Sequence, residues 1–112
     1  MNYAIVSTGY FDRQAKKLSK KYRSFLDDLE CLKKELEKNP TMGDDLGDNF
    51  RKVRMAIASK NKGKSSGARI ITFNLLVDME STKIYLLTIY DKSKQDSISK
   101  EEILHLKKQC EL

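Results

Sequence analysis

The chain has no tryptophan, one proline (Pro40), one histidine (His105) and two cysteines, Cys31 and Cys110. Each scarcity removes a class of protein. A lone histidine and two distant cysteines lack the spacing of a zinc site or a C-x-x-C redox motif. No glycine-rich phosphate loop opens a helix and no nucleophile elbow is present, which excludes P-loop and serine-hydrolase chemistry. No metal and no cofactor are expected. No apolar run of about 18 residues occurs, so no membrane-spanning helix and no membrane partner are expected. The first residues reach Asp12 without a long apolar segment, which does not suit a secretory leader. The cysteines are expected as small buried thiols in a reducing cytoplasm.

What is present is charge. Of 112 residues, 39% are apolar, enough for one modest core, so a single domain over 1–112 is expected. Charged residues make up 34%, against a usual share of about 25%. The net charge of +6 and pI near 9.3 favour an anionic partner: RNA, DNA, acidic lipid or an acidic protein.

Hydrophobic periodicity orders the elements. Residues Asn2–Val6 read as a strand, closed by Ser7-Thr8-Gly9, which offers a helix cap. Phe11, Ala15, Leu18 and Tyr22 recur at helical spacing, with Lys16, Lys17, Lys20 and Lys21 between them. Ser24 can cap a second helix with the stripe Phe25, Leu29, Leu32 and Leu36, stopped by Pro40. Residues Thr41–Asn49 read as loop. Val53, Met55 and Ile57 then alternate with Lys52, Arg54 and Ala56, as on a half-exposed strand. Ser59–Gly67 is a Lys/Gly/Ser-rich loop. Ala68–Val77 is apolar at nearly every position, like a central strand covered on both faces. Lys83–Tyr90 is another strand, and Ser99–Glu102 is a capping box before Ile103, Leu106 and Cys110. The expected fold is α+β in the order β-α-α-β-β-β-α, with an antiparallel sheet and helices on one side.

Between Arg51 and Arg69 lie seven basic residues (Arg51, Lys52, Arg54, Lys60, Lys62, Lys64 and Arg69) and no acid. Lys52 and Arg54 are two apart and share one face of a strand. Antiparallel pairing would bring Arg69 to that face, with Tyr90, Lys92 and Lys94 at its far side. Such a cationic face suits a phosphodiester. Cleavage by the neighbouring 2′-hydroxyl needs a base, cations on the phosphate and an acid for the leaving oxygen; guanidinium forks serve the second task. A lysine crowded by cations can serve as base. Charge alone reaches nucleic-acid binding and stops there. For Lys60, Lys62 and Lys64, a solvated loop and a phosphate-docking loop predict the same composition.

Three segments then carry a resemblance. Lys52-Val-Arg54, the stretch Gly63-Lys-Ser-Ser-Gly-Ala-Arg69-Ile-Ile-Thr-Phe73, and Tyr85-Leu-Leu-Thr-Ile-Tyr90-Asp-Lys92 through Ile98-Ser99 resemble the RelE/ParE toxin superfamily, within it the HigB branch. The resemblance implies a RelE-like fold with an N-terminal helical hairpin and a C-terminal helix. It implies a metal-independent, ribosome-dependent endoribonuclease that cuts mRNA on the small subunit and is held in check by a cognate antitoxin. It makes Lys52 and Arg54 the base and phosphate-binding pair, Arg69 the arginine of the transition state and Lys92 a further cation. Some relatives carry a tyrosine where Ile98 stands, and Tyr90 is the substitute. Arg51, Lys60, Lys62, Lys64 and Lys94 would hold RNA. Two alternatives stand beside it: a same-fold toxin acting on DNA gyrase, and a non-catalytic RNA-binding module.

Overall fold

The computed structural model describes residues 2–61, 63 and 66–112. Its elements are β1 (Asn2–Ser7), α1 (Gly9–Lys21), α2 (Phe25–Lys38), β2 (Asp44–Gly47), β3 (Phe50–Met55), a 3₁₀ turn (Ala58–Lys60), β4 (Ala68–Asp78), β5 (Ser81–Asp91) and α3 (Lys100–Gln109). The strands form one mixed sheet in the order β1-β5-β4-β3-β2. This is an α+β architecture.

The helices begin and end where local chemistry requires. The Thr8 hydroxyl accepts from the Phe11 amide at 3.2 Å, capping α1, and donates to the Leu86 carbonyl at 3.0 Å, tying that cap to β5. In α2, Phe25, Leu29, Leu32 and Leu36 are buried as one stripe. Ser24 precedes α2 but its hydroxyl donates to Asp28 and accepts from the Ser59 amide instead of capping. The Ser99 hydroxyl accepts from the Glu102 amide at 3.1 Å and opens α3.

Four expectations are corrected. Residues 44–47, read as loop, form β2 against β3, where Asp44 faces Lys52 and Asp45 faces Arg51; opposite charges across the pair favour it. The order is therefore β-α-α-β-β-β-β-α. Second, β1 pairs parallel with β5, so the sheet is mixed. These strands are joined through the rest of the chain, and only a short turn would have forced antiparallel pairing. Third, helices cover both faces. Val53, Met55, Ile70 and Ile89 pack with the α1–α2 hairpin, while Phe50, Ile71, Phe73 and Leu87 pack with Ile103 of α3. A strand apolar at successive positions demands cover on each side. Fourth, that cover stops halfway along β4. Residues 68–73 are buried, but Leu75, Leu76, Val77 and the turn residue Met79 are exposed at the hairpin tip. The cysteines differ too: Cys31 is exposed because it falls off the apolar stripe of α2, and Cys110, at the end of α3, packs on the core only in part.

One acid locks the end of β5. The Asp91 side chain, 4% exposed, takes the Lys60 ammonium at 2.6 Å and the Ser93 hydroxyl at 2.7 Å, and it accepts from the Tyr22 hydroxyl. Lys21 lies 3.7 Å away. The C-terminus of α1, the 3₁₀ turn and the start of the segment after β5 thus meet on one carboxylate. Burial pushes that carboxyl up, but the hydrogen bonds from Lys60, Tyr22 and Ser93 outweigh it and hold it well below its ordinary 3.8. A depressed folded value stabilises the fold fully above the ordinary carboxylate value, and the gain disappears as the pH falls beneath it. Replacing Asp91 with Asn leaves a mostly buried lysine unpaired. We expect it to cost about 3 kcal/mol at pH 7. Urea denaturation should show the difference from wild type shrinking as the pH is lowered through 4 towards 3; a pH-independent difference would refute this role.

Candidate nucleic-acid interface

The position of α3 creates the site. It lies over the Phe50–Phe73 end of its face of the sheet, with Lys100 Nζ 5.1 Å from the Phe50 ring centre and Lys107 Nζ 4.6 Å from that of Phe73. The same face continues past it. Strand parity puts Lys52 and Arg54 on this face with Phe50, and Arg69 with Ile71 and Phe73. The pairing register then aligns them. Lys52, Ile71 and Thr88 form one row across β3, β4 and β5, and Arg54, Arg69 and Tyr90 form the next. Side chains directly opposite on neighbouring strands sit about 5 Å apart at Cβ. Lys52, Arg54, Arg69 and Tyr90 therefore share one patch.

The patch has a front and a back. Arg54 is exposed and Lys52 partly so, while Arg69 is 5% exposed and Tyr90 8%. Arg69 donates to the Ala68 carbonyl at 3.2 Å. The Tyr90 hydroxyl is buried with no hydrogen-bond partner among the described residues. Burial raises its pKa above 10.0; the nearby Arg69 charge opposes that rise and Asp96 adds to it. The phenol keeps its proton at neutral pH and remains a donor without an acceptor.

The cations named from sequence separate into groups. Lys92 follows the last strand, but its ammonium is held by the Asp96 carboxylate and donates to the Asp96 carbonyl at 2.8 Å. Arg51 is on the opposite face by parity; its guanidinium donates to the Thr41 carbonyl at 2.8 Å and approaches Asp45 at 3.8 Å. It ties the turn before β2 rather than facing a ligand. Lys60 is engaged by Asp91 and by the Ser66 carbonyl at 2.9 Å, with its side chain 10% exposed. Lys94 is exposed and lies towards α1, beside Lys21. Lys62 and Lys64 lie outside the described residues.

Two features escaped the sequence reading. The first is Asp96. A hydrogen bond from Lys92, then the charges of Lys92 and Lys52, hold its carboxyl below its ordinary value, so an ionised acid borders the cationic patch as an internal counter-ion. Its clue was a single acid in an otherwise basic segment. The second is the role of Gly67, at the end of the Gly63–Gly67 motif. A Cβ there would lie 2.0 Å from the Met55 carbonyl, so only glycine lets β3 and β4 meet at this point. The Gly67 carbonyl also accepts from the Lys92 amide at 3.0 Å, fixing the segment that carries Asp96.

No family model matches this chain.

Arg54 and Arg69 face one another directly in the β3–β4 register. Like charges so placed destabilise a sheet by roughly 0.2–1 kcal/mol. We expect Arg54→Thr, which keeps a good strand residue, to raise the melting temperature at low ionic strength, with the gain falling as salt screens the pair. A lower melting temperature at every salt concentration would show that the pair is not repulsive.

Proposed function

We propose that this chain is a metal-independent, ribosome-dependent mRNA endoribonuclease of RelE-like fold, the toxin of a type II toxin–antitoxin pair. The observation that carries the reading is the alignment of Lys52, Arg54, Arg69 and Tyr90 in adjacent rows on one face of the sheet, with Lys52 and Arg54 solvent-accessible and Arg69 and Tyr90 buried behind them. Its segments resemble the RelE/ParE superfamily, and a helical hairpin and a C-terminal helix accompany the sheet, although the element order differs by one strand and the sheet is mixed.

The chemistry follows from the front and back of the patch. Arg54 receives the scissile phosphate; a guanidinium fork matches its oxygens. Lys52, acting as the neutral amine, takes the proton of the 2′-hydroxyl, whose oxygen bonds to phosphorus as the bond to the 5′-oxygen breaks. Arg69 stabilises the charge on the phosphoryl oxygens from beneath, where the surrounding protein strengthens its field. Tyr90, protonated at neutral pH, donates to the leaving 5′-oxygen. The products are a 2′,3′-cyclic phosphate and a 5′-hydroxyl. Because Arg69 and the Tyr90 hydroxyl are covered, the reaction requires a partner that opens the patch and orients the RNA, a task for the ribosome.

A second reading is favoured by that same covering: an RNA-binding domain that uses the exposed Lys52 and Arg54 and cleaves nothing. One experiment separates the two. With translating ribosomes, primer extension should show cuts within codons for the wild-type protein. The Lys52→Ala/Arg54→Ala double variant should cut at least about 100-fold more slowly, the scale of a lost acid–base or charge-stabilising group. Its circular dichroism should be unchanged. Intact message with wild-type protein, or undiminished cutting by the double variant, would defeat the nuclease reading.

A further inference from the structure

A second concave feature lies around the corner from the cationic patch. The pairing of β1 with β5 ends at Ser7 and Leu86, whereas β5 runs on to Asp91. Thr8 caps only the Leu86 and Leu87 carbonyls. Among the described residues the remaining edge of β5 has no neighbouring strand on that side, and it forms the floor of a groove of about 750 Å³ between α1 and α3.

The two walls of the groove differ in charge. Lys17 and Lys21, one helical turn apart, line the α1 side, and Lys94 approaches from the segment after β5. Of the three, Lys21 alone lies near an acid, Asp91, which Lys60 already holds more closely. Neither Lys17 nor Lys94 has an ion-pair partner among the described residues. The α3 wall presents Glu101 and Glu102, the latter in the capping box. Tyr10 is half-buried and lines the groove, with the Arg13 guanidinium over its ring at 5.8 Å from the centre. Thr88 and Tyr90 belong both to this groove and to the rows of the cationic patch, so the two surfaces adjoin at β5.

We propose that the groove binds single-stranded RNA, holding nucleotides next to the one whose phosphate meets Lys52 and Arg54. This inference rests on the RNA reading of the cationic patch. The phosphates lie along Lys17, Lys21 and Lys94. The bases turn inward, one against Tyr10, because an aromatic face accepts any base. The acidic wall discriminates against an acidic peptide, whose side chains would meet Glu101 and Glu102. Uncharged bases meet no such repulsion, and their amino groups find acceptors there. Access to the bases requires an unpaired strand, so duplex RNA is excluded.

The test uses the full chain and a fluorescent eight-nucleotide oligo(A) with 2′-O-methyl riboses, which cannot be cleaved by 2′-attack. Binding is followed by anisotropy across a salt series. We expect Lys17→Gln/Lys94→Gln to weaken binding about tenfold and to reduce the log–log salt slope by about 1.4, the value for two phosphate contacts on a single strand. Its melting temperature should stay unchanged, since both lysines are solvent-facing. Lys52→Gln, measured in parallel, should also weaken binding. Unchanged affinity and slope in the groove variant, with loss in Lys52→Gln, would overturn the groove and leave the patch standing. Loss in the groove variant alone would keep the groove and remove the patch from the RNA path.

Discussion

The pairing register of β3 with β4 is the constraint on which the rest of this protein depends. It sets Arg54 opposite Arg69 and, one row away, puts Lys52 beside Ile71. A shift of one residue would send Lys52 and Arg54 to the helical-hairpin side and expel Val53 and Met55 from the core. Burial of Val53 at 1% and Met55 at 2% makes that slip costly. The hydrophobic core on one face therefore holds the cations in place on the other. The arrangement sets like charges against each other, in keeping with the binding role proposed for these cations.

Around that register the molecule allocates its charges to different tasks. Arg51 and Lys60 stabilise the fold: one holds backbone carbonyls beside β2, the other pairs with the buried Asp91. Lys92 is balanced by Asp96. Lys52 and Arg54 have no acid within ion-pair distance among the described residues, and they occupy the part of the sheet beyond α3. A net charge of +6 is thus divided into structural pairs and a smaller set open to an anion. The open set is on strands, and its border residue Asp96 is an internal anion, with which a phosphate would compete in the proposed function.

Much of this was legible in the sequence wherever a period or a cap was decisive. Thr8 and Ser99 announced helices, Val53 and Met55 identified the inward face of β3, and the two-residue spacing of Lys52 and Arg54 placed them together. What was not legible depended on long-range partners. The strand at 44–47 carries two aspartates and a glycine among its four residues, and only the basic neighbours opposite make it pair. The parallel β1–β5 contact joins opposite ends of the chain, beyond the reach of any local pattern. Lys60 looked identical to its loop neighbours until Asp91, far along the sequence, claimed it. The groove beside β5 arises because one strand stops before its neighbour does, a difference in length that composition does not encode. The apolar tip of the β4–β5 hairpin was read as covered because hydrophobicity reports a preference for burial, not the presence of something to bury against.

The central claim is that neighbouring strands offer one phosphate a shared set of positive charges. The most direct measurement is an NMR titration of the ¹⁵N-labelled chain with a short RNA carrying a single 2′-O-methyl group, following backbone amides together with arginine side-chain resonances. The account predicts that the side-chain signal of Arg54 and the amides of residues 52–54, 69–71 and 88–90 shift together with one dissociation constant. Shifts confined to the hairpin tip or to β1, with these rows unmoved, would contradict it.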